Sequence, residues 1–302
     1  MTHGTHNAQE DGRNENVLIY VNGALMPRAE ASISVFDSGY LVGDGVWEGI
    51  RLHRGRLCFL QDHFERLWKG AKAIGLKLPF TKEELEQQIW ETLKANAMED
   101  GVHIRVMITR GIKKTPSQDP RLTLSGPNVV IIAEHKIASE ESRRRGLRLF
   151  TSTVRRGRPD YLDPKLNCHS KLHEVQALVQ ALEAGADEAL MLDINGFVAT
   201  CNSTNFFIVQ KGEVWTSTDQ FCMNGITRQK VIELSRSNGL VCREKNFSLF
   251  DCYSADEAFV TGTFGGLTPV FWIDGREIGT DARIGPVTKQ LQVAYEALIH
   301  DC

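Results

Sequence analysis

"GADEALMLDINGFVATCNSTNFFIVQKGEVWTS", residues 185–217, decides the fold class. Short β-rich runs follow one another: "DEALMLD", "FVAT", "NFFIV" and "EVWTS", with turn dipeptides at Asn195-Gly196 and Lys211-Gly212. No helical period separates them. Strands that arrive in clusters, rather than in strict alternation with helices, favour an α+β fold over a doubly wound sheet.

Working outward, "KLHEVQALVQALEAG" just before this block has helical spacing. Leu172, Val175, Val179 and Leu182 are expected to form its buried stripe. After the block, "GITRQKVIELSRSNGL" has a glycine at each end and an apolar stripe through Val231 and Leu234, so it reads as a helix. "EAFVTGTFGGLTPV" is a strand running into a glycine-rich turn, and a last helix begins near "GPVTKQLQVAYEAL".

The first half opens with "NVLIYVNG", a strand closed by the hairpin dipeptide Asn22-Gly23. A turn follows at Arg54-Gly55, and then Leu60, Phe64, Leu67, Ala71 and Ile74 recur at helical spacing. Thr81 and Glu84 make a capping box at the start of a second helix. "VHIRVMITRG" alternates as a strand, and "NVVIIAEHK" reads as a strand buried on both faces. The expected organisation is a flexible tail over 1–16, a small α+β domain over 17–136, a linker over 137–146 and a larger domain over 147–302.

Composition excludes several classes. The 302 residues are 42% hydrophobic and 24% charged, as in ordinary globular proteins. A formal net charge of −3 gives no electrostatic case for nucleic acid or an anionic membrane. No apolar run reaches the roughly 20 residues of a membrane span, and "MTHGTHNAQEDGRNEN" has no apolar core of a signal peptide. Seven scattered cysteines without a CxxC pair point to reduced thiols in the cytoplasm and to no metal site.

Three segments suit a phosphate. "NGITRQ" sets Ile226 and Thr227 at a helix start, where free N–H groups and the helix dipole attract an anion. "TGTFGG" offers Thr263 in a turn that a ligand can approach closely. Arg66, in "HFERL", has a guanidinium able to grip a phosphate through two bonds. Each has an ordinary structural alternative: a plain helix start, a plain turn, a surface arginine.

Together and in this order, the landmarks "GDGVWEGIR" (43–51), "HFERL" (63–67), "GADEALMLDINGFVATCNSTNFF" (185–207), "GITR" (225–228) and "TGTFGGLTPV" (261–270) resemble the class IV aminotransferases. These are fold-type IV pyridoxal-phosphate enzymes: branched-chain amino-acid, D-amino-acid and (R)-amine transaminases, with aminodeoxychorismate lyase. The resemblance implies a two-domain α+β subunit like D-amino-acid aminotransferase, pyridoxal 5'-phosphate between the domains, and a homodimer. It implies phosphate-binding roles for Arg66, Ile226, Thr227 and Thr263, and pocket positions for Val42 and Trp47. The implied reaction moves an amino group between a small amino acid or amine and a 2-oxo acid. A lyase of the aminodeoxychorismate type, or a degenerate homologue that binds a phosphorylated ligand without catalysis, is the alternative.

Two positions depart from the family pattern. The place of the cofactor lysine, counted back from Gly185, is held by Asn167, which has no basic amine to form a Schiff base. The place of the glutamate that keeps the pyridine nitrogen protonated is held by Thr200, which carries no charge and weakens the electron sink. Lys171 is the expected relocated amine, because in a helix four residues return to the same face about 6 Å along the axis. Lys165, two residues before Asn167, is the second choice. His169 and His173 flank Lys171, and Arg51, Arg105, Arg110 and Arg121 are all open as partners for a substrate carboxylate.

Overall fold

The computed structural model describes residues 4, 5, 8, 10–138 and 140–302. They divide into two compact units. The first holds Glu10–Ile137, Leu166–Lys171 and Cys302; the second holds the described residues of 1–9 with Ala138–Lys165 and Leu172–Asp301.

In the first unit the order is β1 (Leu18–Val21), β2 (Ala24–Pro27), α1 (Ser38–Val42), β3 (Gly45–His53), β4 (Arg56–Cys58), α2 (Leu60–Ala73), α3 (Lys82–Ala95), β5 (Val102–Thr109) and β6 (Asn128–His135). Its sheet runs β2-β1-β6-β5-β3-β4, with every pair antiparallel. Asn22 and Gly23 both have positive φ, as the tight β1–β2 turn requires. The α2 stripe packs inward as expected, with Phe64, Leu67 and Ala71 buried against Ile50, Leu52 and Ile104 of the sheet. Thr81 caps α3 reciprocally with Glu84: the Thr81 N–H donates to Glu84 Oε2 at 2.7 Å and the Glu84 N–H to Thr81 Oγ1 at 3.2 Å.

One strand differs from its reading. β6 alternates between buried and half-buried side chains, with Val130 and Ile132 on the less covered face. A run of β-branched residues states hydrophobicity on both faces without stating that both are covered.

The second unit contains α4 (Glu140–Arg145), β7 (Leu147–Thr151), α5 (Leu172–Glu183), β8 (Glu188–Leu192), β9 (Val198–Cys201), β10 (Asn205–Gln210), β11 (Glu213–Thr216), α6 (Ile226–Ser237), β12 (Cys242–Glu244), α7 (Leu249–Tyr253), β13 (Glu257–Gly262), β14 (Gly266–Ile273), β15 (Arg276–Glu277) and α8 (Pro286–Asp301). The sheet runs β12-β11-β10-β13-β14-β7-β8-β9, with β15 beside β14. Meanders make most of it, and only β14–β7, β7–β8 and β11–β12 are parallel. The architecture is α+β, as the clustered strands imply. Residues 140–145, read as part of a linker, form the short helix α4.

The face of α5 is a correction. Leu172, Val175, Val179 and Leu182 are exposed, whereas Ala177 and Ala181 are fully buried with Ala189 and Met191 of β8. The helix lies close on its sheet, and only small side chains fit between them. The larger apolar residues are left on the outer side. No helix among the described residues is long and apolar enough to cross a membrane.

Candidate active site

The segment that replaces the expected amine lies along the start of β3. The Trp47 N–H donates to the Asn167 carbonyl at 3.1 Å, and the His169 N–H donates to the Gly45 carbonyl at 3.1 Å. The Trp47 indole N–H donates to the Cys168 carbonyl at 3.1 Å, and Val46 and Cys168 form an antiparallel bridge. Asn167 is 5% exposed, and its side-chain amide donates to the Trp47 carbonyl at 2.6 Å. Its Oδ1 has no hydrogen-bond partner among the described residues.

This pairing removes the geometric premise for Lys171. Residues 167–171 are not helical, and α5 starts only at Leu172. Asn167 and Lys171 therefore do not share one helical face. Lys171 is half-buried. The pKa of His169 is lowered first by burial and then by the charges of Arg105 and Lys171. His169 is accordingly neutral near pH 7, and its Nε2 lies 3.2 Å from the Val46 carbonyl, which sets that nitrogen as the protonated one. Lys165 is exposed in a turn and belongs to the second unit.

Arg66 is held, not loose. Its Nε and Nη2 donate to the two oxygens of Glu48, each at 2.7 Å, and Glu48 also bonds His63 Nδ1 at 2.7 Å. Glu48 and His63 are fully buried. Burial would raise the Glu48 carboxyl; the Arg66 guanidinium and the His63 ring outweigh it and hold the carboxyl at about 2. The fork thus fixes one edge of the guanidinium and sets where the rest of it points. Glu48 escaped the sequence reading because it stands 18 residues from its partner, on a different element. Trp47, its neighbour on β3, is half-buried with Arg105 over its ring, 4.0 Å from the centroid. Val42 ends α1 and is exposed.

The four arginines left open as carboxylate partners now separate. Arg110 is committed to Asp44 at 2.6 and 3.0 Å and to the Ile74 carbonyl at 2.7 Å. Arg121 is paired with Asp119 on the surface. Arg51 lies opposite Cys58 near the edge of the sheet. Arg105 is half-buried and has no hydrogen bond or ion pair among the described residues, and burial lowers its pKa.

In the second unit, Ile226 and Thr227 stand at the start of α6. Gly225 is its N-cap and supplies no side-chain acceptor, so no side chain takes up the first N–H groups. Only glycine fits there, because a Cβ would collide with Asn205 Oδ1. Asn205 is itself locked, donating to the Met223 carbonyl at 2.9 Å. Ile226 is half-buried; Thr227 is buried, with its hydroxyl 3.3 Å from the Tyr295 hydroxyl. Thr263 lies in the turn between β13 and β14, half-buried. The same strand end carries Thr261, whose register partner is Asn205. Thr200 is buried on β9 and donates to the Thr204 carbonyl at 2.8 Å, so its hydrogen is already committed. Asn205 and Tyr295, missed in the sequence, carry no local signal because their partners are distant in the chain.

The donor set of the α6 entry fits a phosphate: free backbone N–H groups, a hydroxyl and a glycine cradle. At the other end Asn167 itself supplies no basic amine for a covalent tether.

Comparison with known proteins shows the family. The family described as Amino-transferase class IV matches residues 45–272. A branched-chain-amino-acid aminotransferase-like protein 2 of Arabidopsis thaliana is 40% identical over 94% of this chain and 51% of its own length. The chain thus spans about half the length of that relative. A putative branched-chain-amino-acid aminotransferase of Methanocaldococcus jannaschii is 39% identical over 92% of this chain and 95% of its own. A branched-chain amino acid aminotransferase of T.th., solved with pyridoxamine 5'-phosphate, superposes with a TM-score of 0.88 at 32% identity, covering 95% of each chain. None of these favours the lyase or the degenerate binder.

Proposed function

The chain belongs to the class IV aminotransferases, whose cofactor is pyridoxal 5'-phosphate, and from that premise we propose that it transfers an amino group between a small amino acid or amine and a 2-oxo acid. The observation that carries the reading is the α6 entry, where an uncapped helix start, Thr227 and a glycine that admits no Cβ are all kept.

When bound, the cofactor supplies an electron sink for the carbon that loses its proton. Ile226 and Thr227 hold its phosphate through backbone N–H groups and a hydroxyl, Thr263 adds its turn, and Arg66 adds a guanidinium aimed by Glu48. Thr200 would meet the ring nitrogen with a hydroxyl and no charge. Lys171 is the amine that takes up and returns the substrate proton, with Lys165 as second choice. Neutral His169 beside it is a second group able to pass a proton. Trp47 and Val42 shape the pocket. Arg105, a half-buried cation paired with no carboxylate, receives a substrate carboxylate. A homodimer belongs to the same proposal, and the exposed Ile33, Val35, Phe36 and Tyr40 before and within α1 offer it a surface. A cytoplasmic location completes it.

The test is amino transfer in the full chain, followed as new 2-oxo acid from a panel of branched-chain and D-amino acids. Borohydride reduction with peptide mapping accompanies the assay. Retained cofactor with no transfer from any donor would overturn the reading.

A further inference from the structure

Asn167 Oδ1 is a buried acceptor without a donor, at the position where the family pattern sets the cofactor's amine partner. Its orientation is not arbitrary. Nδ2 donates to the Trp47 carbonyl at 2.6 Å, and flipping the amide would set two oxygens face to face. The backbone is pinned on both sides, by Trp47 N–H to the Asn167 carbonyl at 3.1 Å and by His169 N–H to the Gly45 carbonyl at 3.1 Å. The oxygen therefore cannot turn away to find a donor elsewhere. A buried acceptor left unpaired is destabilising, and a ligand that donates to it removes that cost.

We propose that Asn167 makes this chain a receptor for the amine form of its cofactor, pyridoxamine 5'-phosphate, held without a covalent bond and in preference to the aldehyde form. The inference rests on the aminotransferase reading above. A lysine at this position presents a donor and nucleophile; asparagine presents the opposite polarity, and its amide nitrogen is not basic. The primary amine of pyridoxamine phosphate donates hydrogen bonds whether protonated or neutral, so the cations Arg105 and Lys171, which act on His169 two residues along, do not cancel the match. The aldehyde oxygen of pyridoxal phosphate only accepts, and sets acceptor against acceptor. A hydrogen bond from a charged donor to a buried carbonyl corresponds to a preference of roughly tenfold to a hundredfold.

Equilibrium dialysis of the full chain, stripped of cofactor, against pyridoxamine 5'-phosphate and pyridoxal 5'-phosphate tests this without an activity readout. The wild type is expected to bind the amine form more tightly by about tenfold or more. Asn167→Ala brings the two dissociation constants together. Asn167→Lys, which restores the family residue and keeps the test available should the alanine variant not fold, reverses the preference and lets borohydride fix the aldehyde form at position 167. Equal or tighter binding of the aldehyde form by the wild type overturns the inference. So does a preference that survives Asn167→Ala, or borohydride fixation on Lys171. If neither form binds, the aminotransferase reading falls and this inference with it; equal binding removes this inference alone.

Discussion

The entry of α6 in one unit and the segment 166–171 in the other hold their chemistry in different materials. At α6 the groups proposed to take the phosphate are backbone N–H groups, presented by a helix start and a glycine that cannot carry a Cβ. At 166–171 the chemistry rests on single side chains, and one residue, Asn167, reverses the polarity of the position while the backbone pairing with β3 stays complete. Backbone sites are lost only if the fold is lost. A side-chain site is lost with one codon. The contrast explains how a chain can keep a helix start suited to a phosphate while position 167 carries no basic amine.

Four measurements test that contrast. Lys171→Ala is expected to slow amino transfer about 10²- to 10⁴-fold, the range for removal of a proton-transfer group, with cofactor affinity kept within a few fold; Lys165→Ala, on the surface, should leave the rate near wild type. Steady-state kinetics decide it, and equal effects would remove the distinction between the two lysines. Glu48→Ala leaves the Arg66 guanidinium without its forked partner and is expected to lose about 3–5 kcal/mol of stability, read from denaturant midpoints. An unchanged midpoint would show that the cluster carries no structural weight.

Acid should act on the same cluster. The folded Glu48 carboxyl lies at about 2, below the ordinary value of 4.5. Its contribution is therefore complete above about pH 4.5 and is lost as pH falls toward 2, on the order of 3 kcal/mol in all. Unfolding midpoints between pH 6 and 2, compared with those of Glu48→Gln, isolate that part. The smallest effect belongs to the backbone site. Gly225→Ala drives a Cβ against the locked Asn205 amide and should cost about 1–3 kcal/mol, felt as weaker binding of both cofactor forms.

Much of the fold was legible from short stretches. Asn22-Gly23, the Thr81–Glu84 box and the α2 stripe each state their structure within a few residues, because turn dihedrals, caps and helical faces are local properties. The face of α5 was not legible. Its periodicity gave a stripe through Leu172 and Val179, yet the sheet accepts Ala177 and Ala181, since the closeness of packing depends on β8, which the helix's own residues do not encode. The shared helical face assumed for Asn167 and Lys171 was not legible for a related reason: residues 167–169 pair with β3, more than a hundred positions earlier, instead of starting the helix.

By itself the sequence determined the α+β class, the hairpins and caps, and the chemical fact that position 167 has no basic amine. Only the tertiary structure decided that Arg66 is forked by Glu48, that Arg105 is the half-buried arginine of the four left without a carboxylate partner, and that Asn167 keeps an unanswered oxygen. The first set follows from dihedral preferences and hydrogen bonds between near neighbours. The second depends on which distant groups reach each atom once water has been excluded, and no window of sequence contains both partners.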